Sequence, residues 1–529
     1  MEVSVMASSQ AKIFRSDLFC RDLRFCCVPR TPSKIPFRDP SARFRNSRLR
    51  FSLNSALPSQ PVRSDKAAAL SRSKPVDGVR IFVGLPLDVI SDCNTINHAR
   101  AITAGLKALK LLGVEGVELP VWWGIAEKEC KGKYEWSGYL AIAEMVQSVG
   151  LKLHVSLCFH ASEQPRIPLP EWVSRIGESH ASIYYADRSG NHFNGCLSLA
   201  VDELPVLDGR TPVQVYQDFC ESFKSSFSHL MGSTITGVTM SLGPDGELRY
   251  PSHHLLSKNS IIPGVGEFQC YDKNMINLLK QHAESTGNPL WGLGGPHDAP
   301  NYDQFPHSNN FFKDECGSWE SSYGDFFLSW YSSQLLSHGD RMLSVASAAF
   351  SCPTVSAYGK VPLVHSWYRT RSHASELTAG FYNTANRDGY EAVAKVFARN
   401  SSNMILPGMD LSDEHQAHES HSSPESLLAQ IRLACRKYGV DVSGQNSSIS
   451  KGPHGFEQIK KNMRGDKVIN LFMYHRMGAD FFSPDHFPSF TGFIRSFNQP
   501  EIHSDDLPEE EVAEPQQMST DSSIEMQAA

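Results

Sequence analysis

The stretch GPDGELRYPS (243–252) sets one carboxylate, Glu247, in a turn flanked by glycine and proline, directly after the apolar run TITGVTMSL. A carboxyl group held in such a turn can give or take a proton, but acid–base chemistry of this kind usually needs a second group acting opposite the first. Candidate partners recur at the ends of other apolar runs: His160, His365, Asp410, Gln445, Asn446 and Arg476, with Trp122, Trp123 and Trp367 among them. Tryptophan faces interleaved with hydrogen-bonding side chains suit a ligand that has both C–H faces and hydroxyls, which describes a sugar. Taken singly, a pair of tryptophans at a strand end reads as core and a lone histidine as a satisfied polar group. Only their joint placement at one mouth favours a site. Two other patterns carry less. DEHQAHESH (413–421) spaces three histidines but lies in a Ser/His/Glu-rich loop without apolar support, which argues against a metal. GLGGP (292–296) lacks the strand–loop–helix setting and the following lysine of a phosphate loop, so neither a nucleotide nor any other cofactor is expected.

The elements that must position these residues alternate between short apolar runs and longer segments of helical period, the pattern of βα units. Eight strands are expected: VRIFVGLPLD (79–88), VEGVELPVWW (114–123), LKLHVSLCFH (151–160), TITGVTMSLG (234–243), KVPLVHSWY (360–368), NMILPGMDL (403–411), VDVSGQN (440–446) and VINLFMYH (468–475). Their Val/Ile/Leu content fits a parallel sheet covered on both faces. Eight units point to a (β/α)8 TIM barrel with a long insertion after the fourth strand, with a doubly wound open sheet as the alternative. The connection 244–359 is far longer than one crossover and holds two segments of helical period, so a second lobe beside the mouth is expected.

The chain has 529 residues with 50 Lys/Arg and 57 Asp/Glu, a balance that conceals three regimes. Residues 1–75 hold 15 basic and 5 acidic residues, are rich in Arg and Ser and lack a long apolar core. That composition fits a plastid or mitochondrial transit peptide better than a secretory signal, with an untargeted disordered arm as the bland alternative. The stretch 501–529 holds 9 acidic residues and no basic ones, and the tail from 499 is expected to be disordered. Without the first 75 residues the formal charge is −17, which argues against nucleic-acid binding. No run approaches a membrane span, and of 12 cysteines none forms a C-x-x-C pair.

GPDGELRYPS, GEFQCYDK, WGLGGPHDAPNYDQFP, HSWYRTRSHASELTAGFYNT and IPLPEWV closely resemble motifs of the plant β-amylases (glycoside hydrolase family 14), in the family's order and spacing over about residues 78–498. The resemblance implies a barrel spanning 76–498 and an inverting exo-hydrolase that releases maltose from non-reducing ends of α-1,4-glucans. It also implies that Glu247 matches the proton donor. The partner base would stand in a Gly-Glu-Asn triplet, where this chain reads Gly444-Gln445-Asn446. His160, Lys360, His365, Asn446 and Arg476 match positions that contact glucan in the family. Other positions depart from it: Pro120 stands for an Asp in the second strand, Pro407 for a Thr and Asp410 for a Glu in the loop after the sixth. A Gly-rich mobile loop carrying another Asp is shortened to residues 161–166.

An amide cannot accept the proton, so the resemblance is closest to the chloroplast isoforms that lack catalytic residues. The expectation is a plastid-stroma protein of starch metabolism that senses an α-1,4-glucan or maltooligosaccharide, or binds another starch-metabolism protein. The alternatives are an active β-amylase and an interaction scaffold with a vestigial pocket.

Overall fold

The computed structural model describes residues 79–257, 262–350, 352–447, 453–463 and 469–498. The basic arm 1–75 and the acidic tail from 499 lie outside the described residues. Eight parallel strands close into a barrel in sequence order: β1 (Arg80–Gly84), β2 (Gly116–Trp122), β3 (Lys152–Cys158), β4 (Ile235–Met240), β5 (Ser356–Lys360), β6 (Asn403–Leu406), β7 (Val442–Gln445) and β8 (Leu471–Tyr474), with β8 pairing back to β1. Closure removes the open-sheet alternative.

Alternation along each strand sorts the side chains. Val117, Leu119 and Val121 of β2 face the helices, whereas Glu118, Pro120 and Trp122 face the barrel axis and line a recess at its mouth. The barrel floor is apolar. Phe82, Tyr358, Ile405, Leu471 and Met473 pack together there, and the ring of His154 meets Phe82 and Tyr358 edge-on. Polar residues of the same inward set then rise towards the mouth: Ser156 on β3, Thr239 on β4, Lys360 on β5 and Gln445 on β7.

Covering helices carry their apolar residues at helical spacing, as Ala99–Leu112 does with Ile102, Leu106 and Leu109, and Gly113 ends that helix at φ 89°. Pro212–Ser226 begins in a capping box of Thr211 and Gln214. The helix Ser322–Ala349, the second helical segment expected between the fourth and fifth strands, packs on Pro212–Ser226, on Tyr390–Arg399 and on β4 and β5. It is the crossover helix of the barrel. The other segment forms Lys273–Ser285, started by Asp272, whose carboxylate accepts from the amides of Asn274 and Met275. A hairpin of Tyr184–Ala186 and His192–Leu197, which the apolar pattern does not announce, follows β3, and its Ala186 carbonyl accepts from the amide of Tyr271 at 3.0 Å.

The fifth strand differs from expectation. It runs over Ser356–Lys360, upstream of KVPLVHSWY, and residues 361–368 form no strand. Pro362 has no N–H to continue the ladder. Register is set by pairing on both sides, Gly237 with Ser356 and Lys360 with Ile405.

Candidate functional site

Glu247 is delivered by β4 through a tight turn. Gly243 stands at φ 148° and Asp245 at φ 54°, and Leu248 donates to the Lys360 carbonyl at 2.9 Å, so the turn is laced to the end of β5. Its carboxylate accepts from Arg249 Nε at 2.9 Å, and the same guanidinium also holds Asp245.

Gln445, the last residue of β7, is only 3% exposed. Its side-chain amide meets His475 Nε2 at 2.5 Å, and Glu118 Oε2 lies 3.3 Å from that same nitrogen. Burial first, and then Arg476, push the His475 imidazole down to about 3 against the pull of Glu118. Burial would by itself raise the Glu118 carboxyl, but Arg476 and His475 beside it hold it well below the usual range. Asn446 and the His475 backbone are reciprocally bonded, Nδ2 donating to the carbonyl at 2.9 Å and Oδ1 accepting from the amide at 2.7 Å.

The other residues expected at the mouth divide between two recesses. The first, about 230 Å³, holds Pro120, His160, Lys360 and Arg476 together with Glu118 and His475. Arg476 Nη1 donates to Glu118 Oε2 at 3.0 Å and to the Leu85 carbonyl at 2.8 Å. His160 Nδ1 lies 3.0 Å from Ser241 Oγ, and burial pushes its imidazole down to about 4. Lys360 has no side-chain hydrogen bond or ion pair among the described residues. The second recess, about 380 Å³, holds Glu247, His365 and Pro407 with Ser447. His365 Nδ1 lies 2.5 Å from Ser422 Oγ, and burial pushes its imidazole down to about 4. Asp410 accepts from Ser447 N at 2.6 Å and Ser447 Oγ at 2.9 Å, tying the loop after β6 to the end of β7. Gln445 and Asn446 line neither recess.

The tryptophans are a correction. Trp122 edges the first recess, its indole N–H donating to the Leu87 carbonyl at 2.7 Å. Trp123 is core instead, packed edge-on against Phe159, Trp172 and Tyr216, with its N–H on Glu127. Trp367 is 2% exposed and donates to the Pro263 carbonyl. Rings so packed offer no face to a sugar. At 413–421 no metal-binding group of three side chains occurs among the described residues, and His415 faces Ser412 Oγ.

Sequence reasoning missed Glu118, His475 and Arg249. The first had a readable signal, since Glu118 precedes Pro120 by two and must share its face. His475 and Arg249 show no pattern of their own and are recognised only by what they touch.

Comparison with known proteins follows this geometry. The family model for glycosyl hydrolase family 14 matches residues 82–500. "Inactive beta-amylase 9" of Arabidopsis thaliana is 57% identical over 523 residues, covering 97% of each chain. "Beta-amylase 1, chloroplastic" of the same plant is 41% identical over 436 residues, covering 80% of this chain and 76% of that one. Among solved structures, the catalytic domain of β-amylase from Paenibacillus polymyxa superposes with a TM-score of 0.66 at 25% identity, covering 80% of this chain and 99% of that one. By sequence and by fold alike, the chain belongs to glycosyl hydrolase family 14, the β-amylases.

Proposed function

We propose that this protein does not turn over starch and instead binds α-1,4-glucan at the barrel mouth as a sensor in the plastid stroma. The observation that carries the reading is Gln445. Inverting hydrolysis needs an acid on one side of the bond and a carboxylate on the other to activate water. Glu247 can fill only the first role, and the second position holds a buried amide set against an imidazole that stays neutral near pH 7. The neutral imidazole is no substitute base, because a group that gains its proton only near pH 3 has little affinity for one at neutral pH. The 57%-identical Arabidopsis relative is named inactive, which supports the same conclusion. Retention of binding is supported by Lys360, which lines the recess and has no side-chain partner among the described residues.

The test pairs two measurements on the protein lacking residues 1–75: maltose release from soluble starch, and calorimetric titration with maltose and longer linear glucans. Expected are no release above a heat-killed control and binding in the millimolar range. A turnover within tenfold of ordinary β-amylases would end this reading.

A second reading, a scaffold with a vestigial pocket that binds another protein of starch metabolism, is favoured by one observation. Arg476 and His160 are already satisfied by Glu118, Leu85 and Ser241. An absence of heat at millimolar glucan would select it.

A further inference from the structure

Residues 161–167, where the family's mobile loop is cut short, close on themselves. Ser162 N donates to the Ile167 carbonyl at 2.8 Å and Ile167 N to the Ser162 carbonyl at 2.9 Å, while Ala161 N donates to the Gly195 carbonyl at 2.7 Å. The turn is thereby fastened to the hairpin strand His192–Leu197. Its first two residues, Ala161 and Ser162, line the mouth recess and also a groove of about 520 Å³ that continues to the helix Glu171–Ser179. Both side chains are small, so little side-chain bulk stands between the two spaces.

The mouth recess alone, about 230 Å³, falls below the roughly 300–1,000 Å³ of small-molecule sites, whereas recess and groove together lie inside that span. The groove has the amphipathic lining a sugar needs. Ile167, Pro168 and Leu169 give an apolar wall, and Arg166, His192 and Asn194 make no side-chain hydrogen bond or ion pair among the described residues, which leaves their polar atoms for hydroxyls.

We propose that the site takes an internal stretch of a linear α-1,4-glucan rather than a chain end, the sugar run crossing Ala161 and Ser162 from the barrel mouth into this groove. The inference rests on the glucan-binding reading above. It follows from adjacency: a recess walled off on that side would stop a chain at its terminal residue, whereas this one is separated from the groove only by Ala161 and Ser162, which line both.

Calorimetry with maltoheptaose and with maltoheptaose blocked at its non-reducing end by a 4,6-ethylidene group separates the possibilities. Expected are affinities within about twofold of each other. Asn194→Trp, at an exposed strand position, should fill the groove and weaken both heptaoses at least fivefold while leaving maltose within twofold, and Arg166→Ala should act in the same direction should the bulky variant not fold. A blocked chain at least tenfold weaker than the free one would overturn the inference and leave the glucan reading standing. Failure of both heptaoses to bind would overturn the two together.

Discussion

Replacing Gln445 by Glu restores in formula the base that the resemblance assigns to this position, yet the structure predicts that it will not restore a base in function. Loss of a general base costs about 10²–10⁴ in rate, so a repair limited only by that loss should recover as much. The new carboxylate would be 3% exposed and would face His475 Nε2, which already lies 3.3 Å from Glu118. Ionising it there has two outlets. Either the carboxyl keeps its proton, or His475 takes one. Charging an imidazole that titrates near 3 costs about 5 kcal/mol at pH 7, which only the new ion pair can offset. In both cases the group is a poor base, and burying a carboxyl or an ion pair where a neutral amide stood destabilises the fold by about 0.5–3 kcal/mol. Expected are less than tenfold recovery of maltose release and a lowered unfolding midpoint in urea. Histidine NMR should report His475 either unchanged or newly protonated near neutral pH. A hundredfold recovery at undiminished stability would refute the reasoning and leave Gln445 as the sole lesion.

Lys360→Ala should weaken glucan binding about fivefold, roughly 1 kcal/mol for one partly hydrated charged contact, while Glu247→Gln changes it little; titration calorimetry measures both. Arg476→Ala should instead show mainly in stability, losing about 3 kcal/mol in urea unfolding, because its removal leaves Glu118 buried without its partner. Gly243→Ala should cost about 2 kcal/mol, since a Cβ there would stand 2.7 Å from the Glu247 carbonyl oxygen and 3.0 Å from that of Arg249. The protein should also be acid-labile. Burial pushes His154, His160, His253 and His365 down to about 4 and His475 to about 3, so each favours folding fully above about pH 6.5 and loses about 1.4 kcal/mol per pH unit below it. Urea midpoints should fall steeply from pH 6.5 to 4.5, and a flat profile would contradict the assignment.

Much of this was legible in the chain because period and composition act locally. Seven of the eight strands fall inside the apolar runs that announce them, and the second strand's outward residues Val117, Leu119 and Val121 are the ones its alternation selects. The fifth strand was not legible. SAYGK has little apolar content and PLVHSW has much, yet the ladder depends on neighbouring backbones and on whether an N–H exists, not on hydropathy. The candidate site was suggested by resemblance, and part of its placement was legible by position: His160, Lys360 and Arg476 share one recess, and Glu247 and His365 another. The tryptophans were misread because the same strand-end position can present a ring to the mouth or to a helix. Trp123 lies one residue after Trp122 and so turns towards Phe159 and Tyr216. Glu118 escaped notice because either of the two acids in VEGVELPVWW looks incidental until Arg476 arrives from far along the chain.

The fastened turn at 161–167 also sets a timescale. Active-site lids open and close in microseconds to milliseconds, and a closed lid holds its ligand for at least that long. A turn fastened through the amides of Ala161, Ser162 and Ile167 contributes no such step, so at this edge of the mouth encounter and departure would be single events. On the proposed glucan binding, association near 10⁷ M⁻¹s⁻¹ and millimolar affinity would let a bound glucan leave in about 0.1 ms. Occupancy would then track the surrounding glucan almost instantly, and no history of past exposure would be stored at the mouth.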